Sequence, residues 1–375
     1  MRLIPILMLA PSLHAVVGQA PTQHHSSQAN ELVRAADDAR QHGDLKAAID
    51  DYRKALAIQP DLTKAHAGLG AALAAAGQFD EAIVEDRRAL SASPQDETTR
   101  MNLAMALYRK GDLAHAASEL EAIHAAHPAD LSASILLAYT YNKLGREAEA
   151  ANLLGPLEAG HENNLELQYA LAFALIQSGK QAEGLPRMEK VARAKKSAEA
   201  WFIAGSARFY RGDMRDARTD LDAAIALNPA LPGLYSLAGQ ARYAMQDMEG
   251  AATAFQAALR ADPMDFVANR DLGAMRLKEG DFETARPLLE LALQLQPQDP
   301  LTRLQVAKLE DMTGRSAEAA TILEDLVKTD PDWLDPHWLL AAVYSQLNRP
   351  EDGRRQREIA QQIQLRQRQA GANKK

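Results

Sequence analysis

The stretch Ala198–Leu231, AEAWFIAGSARFYRGDMRDARTDLDAAIALNPAL, constrains this chain more than any other feature, because versions of it recur at a 34-residue step along nearly the whole sequence. Gly43, Gly77 and Gly111 mark one offset of the period; Pro60, Pro94 and Pro128 mark another, and Ala48, Ala82 and Ala116 a third. Later copies carry Gly212, Ala217, Ala224 and Pro229, then Asp247, Ala251, Phe255, Ala258 and Pro263, then Gly280, Ala285, Ala292 and Pro297. Units begin near Ala29, Thr63, Glu97, Leu131, Leu165, Ala198, Pro232, Phe266, Pro300 and Leu334. A fixed period of this length means that each unit leaves apolar surface at both ends and only stacking buries it.

The offsets have mechanical meaning. A glycine between two helical stretches permits a left-handed C-cap and a sharp reversal. The Asp that often follows caps the next helix. Alanines seven apart, as at Ala217 and Ala224, let helices approach closely on one side, and a proline such as Pro229 ends the unit. The chain is rich in Ala, Leu, Glu, Gln and Arg, and only 5% aromatic, which favours helix throughout. The expected fold is therefore all-α, a single solenoid of about ten helix–turn–helix units despite the 375-residue length.

These residues resemble the tetratricopeptide repeat, whose signature places Trp, Leu, Gly, Tyr, Ala, Phe, Ala and Pro at set offsets. The likeness runs from about Ala29 to Ala360 and is clearest in Ala198–Leu231, Pro232–Asp265 and Phe266–Asp299. It implies a right-handed α-solenoid of antiparallel helix pairs that acts by binding proteins. Two places depart from the pattern. Residues 155–197 contain GPLEAGHENN, lack a terminal proline and carry Gly184 where alanine is usual, so a bend is expected there. The tenth unit has Gly353 and Arg357 in place of the small and large apolar residues of its second helix, which suits a terminal cap.

The ends read differently. Met1–Ala20 has Arg2, an apolar run from Leu3 to Leu13 and then small residues, the layout of a signal peptide. The apolar stretch is short for a span, which needs about 20 residues, and Pro5 and Pro11 interrupt it. An exported protein, periplasmic or secreted, is expected, tethered to a membrane if the segment stays on. Residues 21–28, PTQHHSSQ, read as a polar linker, the solenoid as 29–367, and residues 368–375 as a basic disordered tail.

Composition bounds the function. The net charge of −8 is not collected in one block, so nucleic-acid binding is disfavoured. The absence of cysteine excludes disulfides, thiolate metal sites and a cysteine nucleophile. His115, His124 and His127 lie near one another in sequence without a ligand motif, and no phosphate loop, nucleophile elbow or HExxH appears. No enzyme, cofactor or metal is expected.

Function is expected on the first helix of each unit, whose second, fifth, ninth and twelfth residues share a face. By the family resemblance that face lines a concave groove that holds peptides. It is charged or small in the first two units, with Val33, Asp37, Arg40, Ala67, Ala71 and Ala74. It then turns apolar: Met101, Met105, Tyr108, Ile135, Tyr139, Tyr169, Phe173, Ile176, Phe202, Phe209 and Tyr243. Arg208, Arg242 and Arg276 form a second series, each eleven residues into its unit, where the family usually has tyrosine or another large apolar residue. Stacked guanidiniums must reach solvent, pair with acids such as Asp216 or Asp220, or face a bound anion; as an anion or orientation ladder beside Phe209 and Tyr243 they would select an acidic, aromatic peptide. Val33, Asp37 and Gly68 stand where the carboxylate-clamp subclass needs lysine and asparagine, so that subclass is rejected. The expected function is a scaffold or adaptor for a protein segment. The alternatives are a subunit of an envelope secretion or polymer-export assembly, or an enzyme-associated or carbohydrate-handling protein.

Overall fold

A computed structural model describes residues 21–372. The Met1–Ala20 segment, where the signal peptide is expected, lies outside the described residues, as does the end of the tail. Twenty α-helices and one short 3-10 turn make up the secondary structure of the described residues, and none of it is strand. No helix among them is long and apolar enough to cross a membrane. The chain divides into two compact units at Lys180, within the stretch where the period falters.

The first unit contains α1 (Pro21–Gln41), α2 (Leu45–Ile58), α3 (Thr63–Ala75), α4 (Phe79–Ala92), α5 (Glu97–Lys110), α6 (Leu113–Ala126), α7 (Leu131–Lys143), α8 (Glu147–Leu154) and α9 (Leu165–Gln177). The second contains α10 (Gln181–Lys195), α11 (Ala198–Arg211), α12 (Met214–Leu227), α13 (Leu234–Ala244), α14 (Met248–Ala261), α15 (Phe266–Glu279), α16 (Phe282–Leu295), α17 (Pro300–Met312), α18 (Ser316–Thr329), α19 (Leu334–Gln346) and α20 (Pro350–Ala372). Within each unit consecutive helices pack on one another, so the repeats stack in chain order.

Helix starts at Thr63, Glu97, Leu131, Leu165, Ala198, Phe266, Pro300 and Leu334 fall where the period places them. The seventh repeat begins two residues late, at Leu234, because Gly233 caps the helix in the left-handed region at φ +73°. The GPLEAGHENN stretch cuts α8 to eight residues and adds the 3-10 turn Gly155–Leu157. Two terminal expectations are corrected. Residues 21–28 are not a linker but the first turns of α1, where Asn30 Nδ2 donates to Ser26 O at 2.7 Å; a proline at the first helical position is compatible with this start. At the other end α20 continues to Ala372, since Gln- and Arg-rich sequence without proline propagates a helix already nucleated by packing.

The turns use the expected chemistry. Gly111 and Gly212 end α5 and α11 at φ +90° and +93°, with their amides bonded back to the last helical turn. Asp96, Asp130, Ser197 and Asp265 cap the following first helices through side-chain oxygens. The core of each repeat is a slot in which a glycine or alanine on the first helix stands sixteen positions before the residue that fills the slot from the second. A Cβ on Gly205 would stand 2.9 Å from Leu221, one on Gly239 2.6 Å from Phe255, and one on Gly273 2.8 Å from Leu289. The large residue of this slot is Tyr52, Leu120, Leu154, Met188, Leu221, Phe255, Leu289 and Leu323 in successive repeats, all fully buried. In the tenth repeat it is Arg357, which is exposed and consistent with a terminal cap. In the second repeat it is Asp86, fully buried against Gly70.

Candidate functional site

Two cavities in the first unit lie on the first-helix face. One, of about 460 Å³, is lined by Met105, Tyr108 and Arg109 of α5, Leu131, Ser132, Ile135, Leu136, Tyr139 and Lys143 of α7, and Asn164 and Glu166 at the start of α9. The other, of about 500 Å³, shares Met105 and Arg109 and adds Arg40, Asn102, Phe79 and the small residues Ala71 and Ala74. The helical spacing of i, i+3, i+4 and i+7 brings these side chains to one face. Burial, with Glu166, Tyr169 and Tyr108 close by, pushes the Tyr139 phenol well above its usual range, so it stays a neutral hydrogen-bonding group. The Lys143 ammonium sits 4.7 Å above the Tyr108 ring.

In the second unit a cavity of about 350 Å³ collects Phe209, Gln240, Tyr243, Arg270, Asp271, Ala274, Leu301 and Gln305, from the first helices of four successive repeats. Phe209 and Tyr210 meet edge to face at 5.3 Å between centroids. Its one arginine is committed: Arg270 Nε donates to Asp271 at 2.7 Å, and Gln240 donates to the other oxygen of the same carboxylate at 2.9 Å.

The expected groove residues thus separate into two groups. Met105, Tyr108, Ile135, Tyr139, Phe209 and Tyr243 line cavities; of these Ile135 belongs to the core, Tyr139 and Phe209 pack against it, and Met105 and Tyr243 remain 46% and 40% exposed. Met101 and Phe202 pack against the core, Ile176 is buried, and Tyr169 and Phe173 are half-buried.

The arginine series does different work from that expected of an anion ladder. Arg208 is joined to Asp220 and Glu189, Arg242 to Asp222, and Arg276 to Glu279. Burial pushes the Asp220 carboxyl up to about 6 even against the pull of Arg208. Arg242 lines a cavity with Asp222 and Tyr235, and none of the three arginines lines the one that holds Phe209 and Tyr243. Adjacent helical residues point about 100° apart, so Arg242 and Tyr243 serve different faces. Glu189 and Asp222 occupy the same place in the repeat preceding each arginine. Glu121 and Glu324 occupy that place too, and they accept from Tyr141 (2.9 Å) and Tyr344 (2.7 Å), the tyrosines that stand at the arginines' offset in other repeats. Arginine and tyrosine are alternative ties from one repeat to its predecessor. In the repeat before Arg276 that place holds Gln256, and Arg276 pairs with Glu279 within its own helix.

The histidines also belong to the scaffold. His115 pairs with Asp112, His124 with Ser134 and His127 with Glu97, and no group of three or more His, Asp or Glu among the described residues is set to hold a metal ion.

Stacked helix pairs joined by such ties define a helical-repeat protein. The chain matches models of the tetratricopeptide repeat over residues 36–77, 101–155, 236–300 and 276–343, and it belongs to that family. Among solved structures it is similar to a tetratricopeptide repeat protein from Parabacteroides merdae ATCC 43184, at 18% identity over 71% of this chain and 99% of that one, TM-score 0.52. It is also similar to the C-terminal part of a repeat-containing protein from Cytophaga hutchinsonii (14% identity, 63% and 97% covered, TM-score 0.49). A third is YrrB, described as having an unusual peptide-binding site (21%, 48% and 92%, TM-score 0.42). None of the curated proteins matches the chain. The fold implies a protein–protein interaction scaffold, and proteins of this family are generally non-catalytic.

Proposed function

We propose that the protein is a non-catalytic adaptor that holds a segment of a partner protein on the face lined by its first helices. The observation that carries this reading is that side chains of successive first helices leave open cavities between them. Met105, Tyr108, Ile135 and Tyr139 do so in the first unit, and Phe209, Tyr243, Ala274 and Leu301 in the second. Keeping apolar area in water costs about 25 cal/mol per Å², and contiguous apolar patches on a folded surface mark interaction sites. An extended or helical segment that seats apolar side chains there recovers that cost and meets the phenol groups at its edge. The Met1–Ala20 layout supports an exported adaptor, and the mass of the mature protein tests that part: retention of residues 1–20 would replace export with tethering.

Affinity capture with the intact protein and with a Met105→Gln/Tyr243→Gln variant tests the adaptor. Both side chains are exposed, so the fold is kept. The variant is expected to lose the specific partner, and identical captured sets would count against these cavities as binding surfaces.

A further inference from the structure

The cations on the first unit's face narrow the chemistry of what it holds. Arg109 lines both cavities and Lys143 one of them. They are the corresponding residues of successive repeats, 34 positions apart, and both are exposed. Neither has a carboxylate within ion-pair distance among the described residues, and the Lys143 ammonium rests on the Tyr108 ring. Neighbouring cations are otherwise engaged: Lys110 pairs with Asp80, Arg100 with Glu119 and Arg146 with Glu149. In a chain of net charge −8, two uncommitted cations beside an apolar floor are a local reversal of sign. Glu166, at the start of α9, is the one acid that lines these cavities.

We propose that the first unit's face takes an acidic segment of a partner protein. Two side-chain carboxylates meet Arg109 and Lys143, and a bulky apolar residue between them seats on Met105 and Tyr139. The proposal rests on the adaptor reading and adds the sign and spacing of the ligand's charge. A guanidinium offers a planar fork to a carboxylate, and cations set in a concave, partly apolar surface attract acidic segments and repel basic ones. Because successive repeats supply the two cations, they present charge at two points along the face, which suits two acidic side chains on one strand of chain better than one terminal carboxylate. The second unit's cavity lacks this character, since Arg270 is already neutralised by Asp271.

The test is fluorescence anisotropy on the full chain with three labelled probes: an amidated peptide of alternating Glu with Leu and Tyr, its Lys counterpart, and a Gln counterpart ending in a free carboxylate. The acidic probe is expected to bind at least tenfold more tightly than either other, with affinity falling as salt rises. Arg109→Glu/Lys143→Glu is expected to abolish that preference, Arg109→Lys to keep it, and Glu166→Gln to strengthen acidic binding. Equal binding of acidic and basic probes, or a preference untouched by the double reversal, would overturn the proposal. Preference for the Gln probe would reassign the cations to a terminal carboxylate and overturn it as well. A Met105→Gln control separates the two readings: if it weakens all probes while the charge reversal changes nothing, the adaptor face stands and the acidic preference falls. If neither change matters, both fall.

Discussion

Asp86 is the residue least at home in its surroundings. It fills the slot that eight other repeats give to Tyr, Leu, Met or Phe, with no exposure, and neither carboxylate oxygen has a hydrogen-bond partner. Burial, with Glu85 and Asp96 adding negative charge, pushes its carboxyl up to about 7. The folded state therefore holds a proton that the unfolded chain releases near 3.8. Stability from this group is complete below that value and is lost as pH rises towards 7, a swing of about 4 kcal/mol at the linkage rate of about 1.4 kcal/mol per pH unit. Asp86→Leu restores the slot's usual occupant. Urea melts at pH 5 and pH 8 are expected to show the variant stabilised mainly at pH 8 and the wild type losing stability between the two. Equal pH dependence in both proteins would show that Asp86 is not its source.

At the level of the helix pair, most reversals between paired helices use a glycine in the left-handed region, but the seventh repeat places Gln246 there at φ +65° and the tenth Asn348 at φ +56°. A residue with a Cβ loses about 1 kcal/mol in that region relative to glycine. Gln246 is exposed, so Gln246→Gly should raise stability by about that amount, read as a higher urea midpoint at unchanged slope; no gain would mean that its local hydrogen bonding already compensates.

The period made helix starts legible because glycine, proline and capping Asp recur where backbone geometry admits few alternatives. That Met105 and Tyr243 share the first-helix face follows from helical spacing alone. The arginine ties were less so: Arg242 meets Asp222 twenty residues earlier, a pairing across repeats that appears only when each repeat is aligned on its predecessor. Arg109 and Lys143 carried a signal in their 34-residue spacing, but their lack of an ion pair among the described residues depends on where every acid points. The helical character of residues 21–28 was hidden because polar sequence without periodicity gives no face to detect.

Across the molecule, stability in a stacked-repeat chain is close to a sum of repeat and nearest-neighbour terms. A weakness in one repeat is then felt locally rather than shared by all. Asp86 belongs to the first compact unit, Met1–Lys180, where its slot lies among the residues buried around Tyr52, Leu73 and Leu103. The corresponding slots of the second unit hold Met188, Leu221, Phe255, Leu289 and Leu323, which do not titrate. Burial pushes Asp220, beside one of them, up to about 6, lower than Asp86, because Arg208 favours its charged form. Raising pH should therefore loosen α3 to α5 while leaving α11 to α18 protected. Hydrogen exchange read by mass spectrometry, with labelling times scaled for the intrinsic pH dependence, is expected to show protection at pH 8 lost first in peptides from residues 63–110. Peptides from residues 198–329 should keep the protection that they have at pH 6. In Asp86→Leu the difference between the two regions should shrink. Protection lost evenly along the chain would mean that the repeats unfold as one cooperative body, and that the buried carboxyl acts on the whole protein rather than on its own repeat and its neighbours.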